Sequence, residues 1–508
     1  MYIKERTKNQ IDMKDFNTFY NNMGILSYPF RDKTAEKEDT KNLFIKPIDY
    51  SMLEDAFNAS QTCIINGNRG TGKTIIERNL ETEPEANCLI CTITNYESIP
   101  LENNILDYYS LILQNITRKL LVYLLRNKKK FKKLTKDERL LISFLIMKYG
   151  DAITDSQLKD QIENIQLSPW KRILNIFSKP LTSILNYSAT AITNFGNQFL
   201  TQNFGSHLPS IDENTIKEIF PEIKFNTTND FKSIEISYTL LCNVLEKLHK
   251  IIGKPPIVFM DKFDEDTRIE NDAEVLATFT KDLLCDNNLL LNPNIQIVLS
   301  MWKIAFTQIA TSFRRSKHYV YDISWNRQQL ERVLNQRLSV FSNKAIKDYH
   351  LLFSNATEED FDNIFNLCNS NPRDLWEIFD KLFYAQYELD SNCTLISHEA
   401  IVNGLHCFVE NFSFYEYYPR KKNARKNTND IYSYIKHLLA LNNTIEFTNY
   451  ELRDAASTGG STTNYITGMM SIGLVTKTDL KRPGGAIIYK INDPKVQYAI
   501  HNKIEILH

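Results

Sequence analysis

Residues 67–74 decide the fold of this chain, and they read Gly67-Asn68-Arg69-Gly70-Thr71-Gly72-Lys73-Thr74. Two glycines flank four residues and are followed by Lys and Thr, which is the pattern of a loop that wraps around nucleotide phosphates. The glycines let backbone N–H groups approach the β-phosphate, and a helix beginning beside the loop adds its positive dipole end. We therefore expect Lys73 to contact the β- and γ-phosphates of ATP and the Thr74 hydroxyl to bind Mg²⁺.

The segments on either side of this loop predict a βαβ unit within a larger parallel sheet. Short apolar runs bounded by turn residues are typical of buried parallel strands, and a helical pattern follows the loop from Thr74 to Leu80. Five such apolar runs lie at 62–66, 87–93, 256–260, 295–300 and 319–323. The sequence therefore predicts an α/β P-loop NTPase core with a five-stranded parallel sheet.

Acidic residues follow the strand predicted over 256–260. Asp261 comes directly after it, and Asp264 and Glu265 come next. Open α/β sheets bind ligands at the carboxyl ends of their strands, so we expect Asp261 to hold a Mg²⁺-bound water beside Thr74. Asp264 and Glu265 are the candidates for polarising the attacking water; the alternative is that they only cap the following loop.

Length, charge and cysteine content limit the class of protein. The chain has 508 residues, 43% of them hydrophobic, and a formal net charge of -1. This length favours about two to four domains, and the near-zero charge gives no general affinity for nucleic acid. The eight cysteines show no zinc-site spacing and indicate reduced thiols. Because no apolar stretch of about 18 residues occurs and no apolar leader follows the charged N-terminus, we expect a soluble, cytoplasmic protein without a membrane partner.

Changes in sequence texture predict the domain organisation. A helical insertion splits the core, and a helical lid and a terminal unit follow it. The predicted bounds are 1–50 for an extended lead-in, 51–103 and 251–325 for the core, 104–250 for the insertion, 326–418 for the lid and 430–508 for the terminal unit. Within the insertion, a basic run at 126–133 is either a solvated turn or a nucleic-acid contact, and a stretch without charged residues at 181–210 either packs or faces a partner.

The terminal unit has the pattern of a winged helix. Helices are predicted over 431–441, 448–456 and 461–472, and two β runs follow at 474–478 and 486–491. In such a fold the third helix enters the major groove of duplex DNA and the wing contacts phosphates, and the candidate residues are Thr463, Asn464, Lys481 and Arg482. The linker at 419–429 is also basic, but the third helix has no Lys or Arg. Packing against the nucleotide domain is therefore the alternative.

Together these motifs resemble AAA+-related ATPases of the STAND and origin-recognition type. The spacing Asp261-x-x-Asp264-Glu265 is similar to the STAND form of the Walker B element, whereas Lys262 stands where the AAA+ form has an acid. The lead-in is also similar to a group of poorly characterised bacterial P-loop ATPases, some of which lie in defence-type gene neighbourhoods. The residues that carry this resemblance are Pro29-Phe30-Arg31, 35–39 and Phe44-Ile45-Lys46-Pro47 in the lead-in, together with 68–74 in the phosphate loop.

The resemblance implies roles for three arginines. The segment Asn371-Pro372-Arg373-Asp374-Leu375 resembles the sensor-2 segment of a helical lid, which implies that Arg373 reaches the γ-phosphate. The alternative is an ordinary helix start with an exposed arginine. Arg314 and Arg315 fall where AAA+ rings place an arginine finger that acts on a neighbouring subunit, or they only stabilise the end of a helix.

These expectations lead to three functional hypotheses. The first is an ATP-hydrolysing switch that uses ATP and Mg²⁺ to control assembly of a homo-oligomer with a protein effector, and the resemblance implies a role in bacterial anti-phage defence. The second is an ATP-dependent regulator or loader that binds duplex DNA through the winged helix. The third is a nucleotide-binding scaffold with little hydrolysis, which Lys262 in place of an acid favours.

Overall fold

The computed structural model describes residues 15–31, 40–82, 88–126, 134–135, 145, 234–420, 430–442 and 444–507. Most of the predicted insertion lies outside the described residues. The same is true of the basic run at 127–133, the uncharged stretch at 181–210 and the basic linker at 421–429.

A short helix begins the described chain where the sequence predicted an extended lead-in. Helix α1 (Phe16–Asn22) is capped by Asp15, whose side chain accepts a hydrogen bond from the Thr18 N–H, and α2 (Thr40–Leu43) follows. A helix of 7 residues has little stability of its own. Tertiary packing stabilises it, because Phe19 is fully buried in the core of the lid.

The core contains the predicted five-stranded parallel sheet. Its first half comprises α3 (Tyr50–Asn58), β1 (Cys63–Gly67), α4 (Lys73–Thr82), β2 (Ile90–Ile93) and α5 (Ile105–Arg126). Its second half comprises α6 (Ile234–Ile252), β3 (Ile257–Met260), α7 (Ala273–Cys285), α8 (Asn287–Leu290), β4 (Gln296–Trp302), α9 (Lys303–Ile309) and β5 (Tyr319–Asp322). The long α5 and α6 are the two ends of the predicted insertion at 104–250; they pack on each other and share a hydrophobic cluster with the sheet.

The order of the strands places the end of β3, which Asp261 follows, close to the phosphate loop. The order is β2-β3-β4-β1-β5 and every neighbouring pair is parallel. Only β4 lies between β1 and β3. Because these strands are parallel, the carboxyl ends of β1 and β3 lie at the same edge of the sheet. All residues of β1, β3 and β4 are buried, as continuous apolar runs in a sheet covered on both faces require. The predicted α/β P-loop NTPase core is confirmed.

The lid is a helical unit with two very short strands. It comprises α10 (Arg327–Phe341), β6 (Phe353–Ser354), α11 (Glu358–Leu367), α12 (Pro372–Leu389), β7 (Ile396–Ser397) and α13 (His398–Glu410). Asn326 and Thr357 form capping boxes at the starts of α10 and α11. Asn371 caps α12, and Pro372 occupies its first turn, where the missing N–H costs nothing.

The C-terminal unit, residues 430–507, has the element order of a winged helix. Its elements are α14 (Ile431–Leu439), β8 (Glu446–Thr448), α15 (Asn449–Ala456), α16 (Thr462–Ser471), β9 (Val475–Lys481), β10 (Ile487–Ile491) and α17 (Pro494–Asn502). The strands form an antiparallel sheet in the order β8-β10-β9. The sequence did not predict β8 or α17, both of which are short. One hydrophobic cluster runs through the lid and this unit.

Among the described helices, none is both long enough and apolar enough to span a bilayer.

Candidate functional site

A cavity of about 530 Å³ lies between the carboxyl edge of the sheet and the lid. Its walls come from the lead-in, the phosphate loop, the segment after β3 and the lid. The lining residues include Leu43, Phe44, Ile45, Arg69, Gly70, Gly72, Lys73, Thr74, Ile75, Asp261, Asp264, Glu265, Trp325, Val333, Arg337, Arg373 and Trp376. The cavity volume is in the range of a small-molecule or cofactor site.

The phosphate loop connects β1 to α4 with the geometry that its glycines allow. Gly70 and Gly72 have φ angles of +80° and +96°, in the left-handed region that favours glycine. Lys73 begins α4 and is buried, and its Nζ donates to the carbonyl oxygens of Gly67 and Asn68, both at 3.2 Å. The loop thus surrounds a lysine ammonium at the positive end of a helix.

The structure brings Thr74 and Asp261 together, although 187 residues separate them in sequence. The Thr74 Oγ1 donates to Asp261 Oδ2 at 2.7 Å. Asp261 is buried, and the Tyr96 hydroxyl donates to its backbone carbonyl at 2.9 Å. No group of three or more His, Cys, Asp or Glu side chains forms a metal cluster in the described part of the chain. One carboxylate and one hydroxyl fit Mg²⁺, which usually takes its other ligands from water and phosphate.

Asp264 lies at the same edge but is paired with an arginine of the phosphate loop. Arg69 Nε donates to Asp264 Oδ2 at 2.7 Å, and Arg69 Nη2 donates to the Asp264 backbone carbonyl at 3.0 Å. Burial raises the pKa of Asp264, but the charges of Lys73 and Arg69 outweigh burial and hold this pKa below its ordinary value. A carboxylate of lowered pKa is a weak base, so this pairing makes Asp264 less suited to its predicted role in polarising water.

Glu265 is paired with a lysine and is largely exposed. Its carboxylate forms an ion pair of 3.3 Å with Lys262, whose φ of +66° marks a sharp turn after β3. The side chain of Glu265 is 63% exposed, although the residue lines the rim of the cavity. Its predicted role in polarising water stays a prediction.

The lid contacts the phosphate loop through the residue that caps α12. Asn371 Nδ2 donates to the Arg69 carbonyl at 2.8 Å, and its Oδ1 accepts from the Arg373 N–H at 3.0 Å. A Cβ on Gly70 would lie 2.6 Å from Asn371 Oδ1 and 2.9 Å from Arg373 Cβ, so only glycine fits there. Arg373 itself lines the cavity and forms an ion pair of 3.3 Å with Glu416.

Two further features of the site did not come from the sequence reasoning. The first is Glu77, buried one turn after Lys73 and bound by the Ser300 hydroxyl. Burial and the negative charge of Asp261 raise the pKa of Glu77 well above its ordinary value. Its spacing of four residues from Lys73 places it on the same face of α4, a signal that the sequence does contain.

The second feature is an apolar end of the cavity that includes part of the lead-in. Its walls are formed by Leu43, Phe44, Ile45, Ile75, Val333 and Trp376. An apolar wall with aromatic rings suits a nucleotide base, whereas the phosphate loop occupies the polar end. The only signal in the sequence was the resemblance of Phe44-Ile45-Lys46-Pro47 to related lead-ins.

Arg314 and Arg315 are not among the residues that line the cavity. Both are exposed, and Arg315 forms an ion pair with Asp322 at the end of β5. Within one chain they are therefore surface residues, and their predicted action on a neighbouring subunit stays a prediction.

The predicted DNA-contact residues are all exposed on the C-terminal unit. On α16, Thr463 accepts a hydrogen bond from Asn449 at 3.1 Å, and Asn464 lies beside it. On the wing, Lys481 ends β9, and Arg482 forms a long ion pair of 3.4 Å with Glu451. Their contacts are equally compatible with a DNA partner and with a protein partner.

Comparisons with known proteins identify no family. No family model matches the chain, and no curated protein matches it. Among solved structures it is similar to Cdc6p from Pyrobaculum aerophilum, with 11% identity over 96% of this chain and 99% of that chain and a TM-score of 0.30. It is also similar to the ORC2 protein of Aeropyrum pernix, solved as ADPNP and ADP complexes, with 10% identity over 89% and 91% of the two chains and a TM-score of 0.36. The fold assignment rests on the sheet and the phosphate loop.

Proposed function

We propose that this chain is a P-loop ATPase that binds ATP and Mg²⁺ between its core and its lid. The observation that carries the proposal is the 2.7 Å hydrogen bond between Thr74 and Asp261, next to a buried Lys73 in a cavity of about 530 Å³. These three side chains meet only because the loop after β1 and the acid after β3 reach one edge of the sheet.

Each part of the site has a role in nucleotide binding. The backbone N–H groups of the loop and the start of α4 bind the β-phosphate, and Lys73 turns from the loop carbonyls to the β- and γ-phosphates. Thr74 and Asp261 would hold Mg²⁺, which would neutralise phosphate charge. The apolar end near Phe44 and Trp376 holds the base. Arg373, from the lid, reaches the γ-phosphate.

We infer that hydrolysis is slow. Arg69 donates a hydrogen bond to the Asp264 carboxylate, and the lowered pKa of this carboxylate makes it a weak base. Glu265 is exposed at the rim of the cavity. A slow ATPase persists in its ATP-bound state, which suits a switch better than a metabolic enzyme. The same observation supports the scaffold hypothesis, in which hydrolysis is negligible.

The switch would act through assembly. The lid contacts the phosphate loop directly through Asn371, so a change at the loop alters the position of the lid. ATP would then stabilise a lid position that forms a homo-oligomer, to which Arg314 and Arg315 contribute from the surface, and a protein effector would bind the assembly. A role in anti-phage defence rests on the resemblance of the lead-in and of the phosphate loop.

A second candidate function is ATP-dependent binding of duplex DNA. The exposed cations of the wing, Lys477, Lys481 and Arg482, favour it. The exposed face of α16 offers only neutral hydrogen-bonding groups, including Thr463 and Asn464. Phosphate contacts dominate DNA affinity, so this binding would depend steeply on salt concentration.

The test compares wild type with Lys73→Ala in nucleotide binding, in ATP turnover and in sedimentation, with and without ATP and duplex DNA. Assembly that needs ATP and Lys73 but ignores DNA supports the switch. Turnover that rises with DNA and falls with salt supports the second candidate. Nucleotide binding that Lys73→Ala leaves unchanged would refute the proposed site itself.

A further inference from the structure

The first turn of α12 contacts three parts of the molecule with three neighbouring side chains. Asn371 donates to the Arg69 carbonyl of the phosphate loop. Arg373 lines the cavity. Asp374 forms an ion pair of 2.7 Å with Lys495, which lies at the start of α17 in the C-terminal unit. A single helical turn thus joins the loop, the cavity and the C-terminal unit.

The ion pair between Asp374 and Lys495 is buried between the lid and the C-terminal unit. The side chains of Asp374 and Lys495 are 4% and 0% exposed. Aromatic rings surround the Lys495 ammonium: its Nζ lies 4.3 Å from the ring centroid of Phe412 and 4.7 Å from that of Tyr417. Burial raises the pKa of Asp374 above its ordinary value, and the charge of Lys495 opposes that rise. Removing the lysine charge would leave a buried carboxylate without its counter-charge.

A continuous chain of hydrogen bonds connects this pair to the phosphate loop. The two amide hydrogens of Asn371 go to the Arg69 carbonyl and to the Tyr417 hydroxyl. The Tyr417 hydroxyl donates in turn to Asp374 Oδ2 at 2.9 Å. All the linking side chains are buried, so water does not compete with these bonds. These hydrogen bonds therefore hold the Arg69 carbonyl and the Asp374 carboxylate in one arrangement.

We propose that Lys495 is a positioning residue for Arg373, and that the C-terminal unit thereby takes part in distinguishing ATP from ADP. The inference rests on the proposed function, in which Arg373 reaches the γ-phosphate. Lys495 fixes Asp374, which is adjacent to Arg373 in the same helical turn, and Asn371 fixes the other end of that turn against Gly70. Loss of the lysine contact lets this turn rotate and moves the guanidinium away from the γ-phosphate.

Reciprocity gives the inference its functional consequence. If docking of the C-terminal unit raises the affinity for ATP relative to ADP, ATP must stabilise that docking by the same factor. ATP then stabilises the docked position of the C-terminal unit more than ADP does. The fraction of molecules that present the exposed surface of α16 and of the wing in the docked position therefore depends on the nucleotide.

The test is a double-mutant cycle on the full chain. The dissociation constants of ATP and ADP are measured with Mg²⁺ for wild type, Lys495→Met, Arg373→Gln and the double variant, with Lys436→Met as a matched control. Lys436 is an exposed lysine of α14 in the same unit. We expect each single variant to lower the preference for ATP over ADP by about tenfold, the ratio that corresponds to ~1.4 kcal/mol. The double variant shows no further loss, and the control keeps the wild-type preference.

A change that is merely structural gives a different result. If Lys495 has only a structural role, Lys495→Met weakens binding of ATP and ADP equally, or its effect adds to that of Arg373→Gln. Either outcome refutes the inference and leaves the ATPase proposal intact. Absence of ATP binding by folded wild-type protein refutes both.

Two measurements keep the test decisive if Lys495→Met does not fold. Tyr417→Phe keeps the buried ring but removes the hydroxyl that joins Asn371 to Asp374, and it should lower the same preference. Hydrogen exchange of wild-type α17 amides should be slower with ATP than with ADP. Equal exchange in the two states, or an unchanged preference in Tyr417→Phe, overturns the inference.

Discussion

Replacing Gly70 with alanine should break the contact between the phosphate loop and the lid. Gly70 has a φ of +80°, and the new Cβ would lie 2.6 Å and 2.8 Å from the amide atoms of Asn371. Asn371 must then move, which removes its hydrogen bond to the Arg69 carbonyl. The substitution therefore combines backbone strain with loss of a buried contact.

The magnitude follows from these two costs. A left-handed backbone costs a residue with a Cβ about 1–2 kcal/mol, and an unmade buried hydrogen bond costs about 1–3 kcal/mol, so Gly70→Ala should lose about 2–5 kcal/mol. Gly253 is the matched control, because its φ is +89° and a Cβ there would meet nothing within 4 Å. Gly253→Ala should lose only the backbone cost, about 1–2 kcal/mol.

The assay is urea unfolding of the two variants and wild type, followed by titration with ATP. We expect the free energy of unfolding to be lower for Gly70→Ala than for Gly253→Ala, and only Gly70→Ala to bind ATP more weakly. Equal stability of the two variants, with equal ATP affinity, would refute the contact between the lid and the loop as an energetic feature of the protein.

Three further predictions concern the acidic residues of the site. Asp261→Asn should weaken ATP binding about tenfold with Mg²⁺ present and much less without it, because it loses a charged ligand; titrations with and without EDTA check this. The pKa of Asp264 is lowered from its ordinary value of 3.8, so its contribution to stability is fully present above that value and is lost as pH falls through the lower folded-state value. The stability advantage of wild type over Asp264→Asn should therefore shrink as pH falls below 3.8, and an advantage independent of pH would contradict the pairing with Arg69. For Glu77 the sign is opposite: its pKa is raised from 4.5, so wild type should lose stability relative to Glu77→Gln as pH rises above 4.5, and parallel curves of unfolding free energy would contradict this.

Much of the core could be predicted because its signals are local. Each buried strand is a continuous apolar run, and the loop has its two glycines and its Lys-Thr pair at fixed spacing. The meeting of Thr74 with Asp261 follows from these signals, since parallel strands deliver their carboxyl ends to one edge of a sheet. In the C-terminal unit, local periodicity predicts three helices and the last two strands but not β8 or α17.

The remaining features depend on contacts between distant parts of the chain. Arg69 reads as a variable position of the phosphate loop, yet it binds Asp264, which lies 195 residues away. Helix α1 and the residues around Phe44 look like a polar lead-in, because their apolar side chains lack a regular period. Phe19 is buried in the core of the lid, and Phe44 packs against Tyr50 of α3. A buried lysine such as Lys495 has no signature in sequence, since its counter-charge lies in another domain.

The pairing of Arg69 with Asp264 and the turn that begins α12 lead to the same view of the molecule. The Arg69 side chain binds Asp264 in the segment after β3, and the Arg69 carbonyl accepts a hydrogen bond from the lid residue Asn371. The phosphate loop is therefore bonded on one side to Asp264 and on the other to the helix start that leads to the C-terminal unit. A nucleotide that displaces the loop must disturb both sets of bonds together. The slow hydrolysis and the control of the C-terminal unit that we propose would then both follow from one arrangement, and substitutions of Arg69 should alter both.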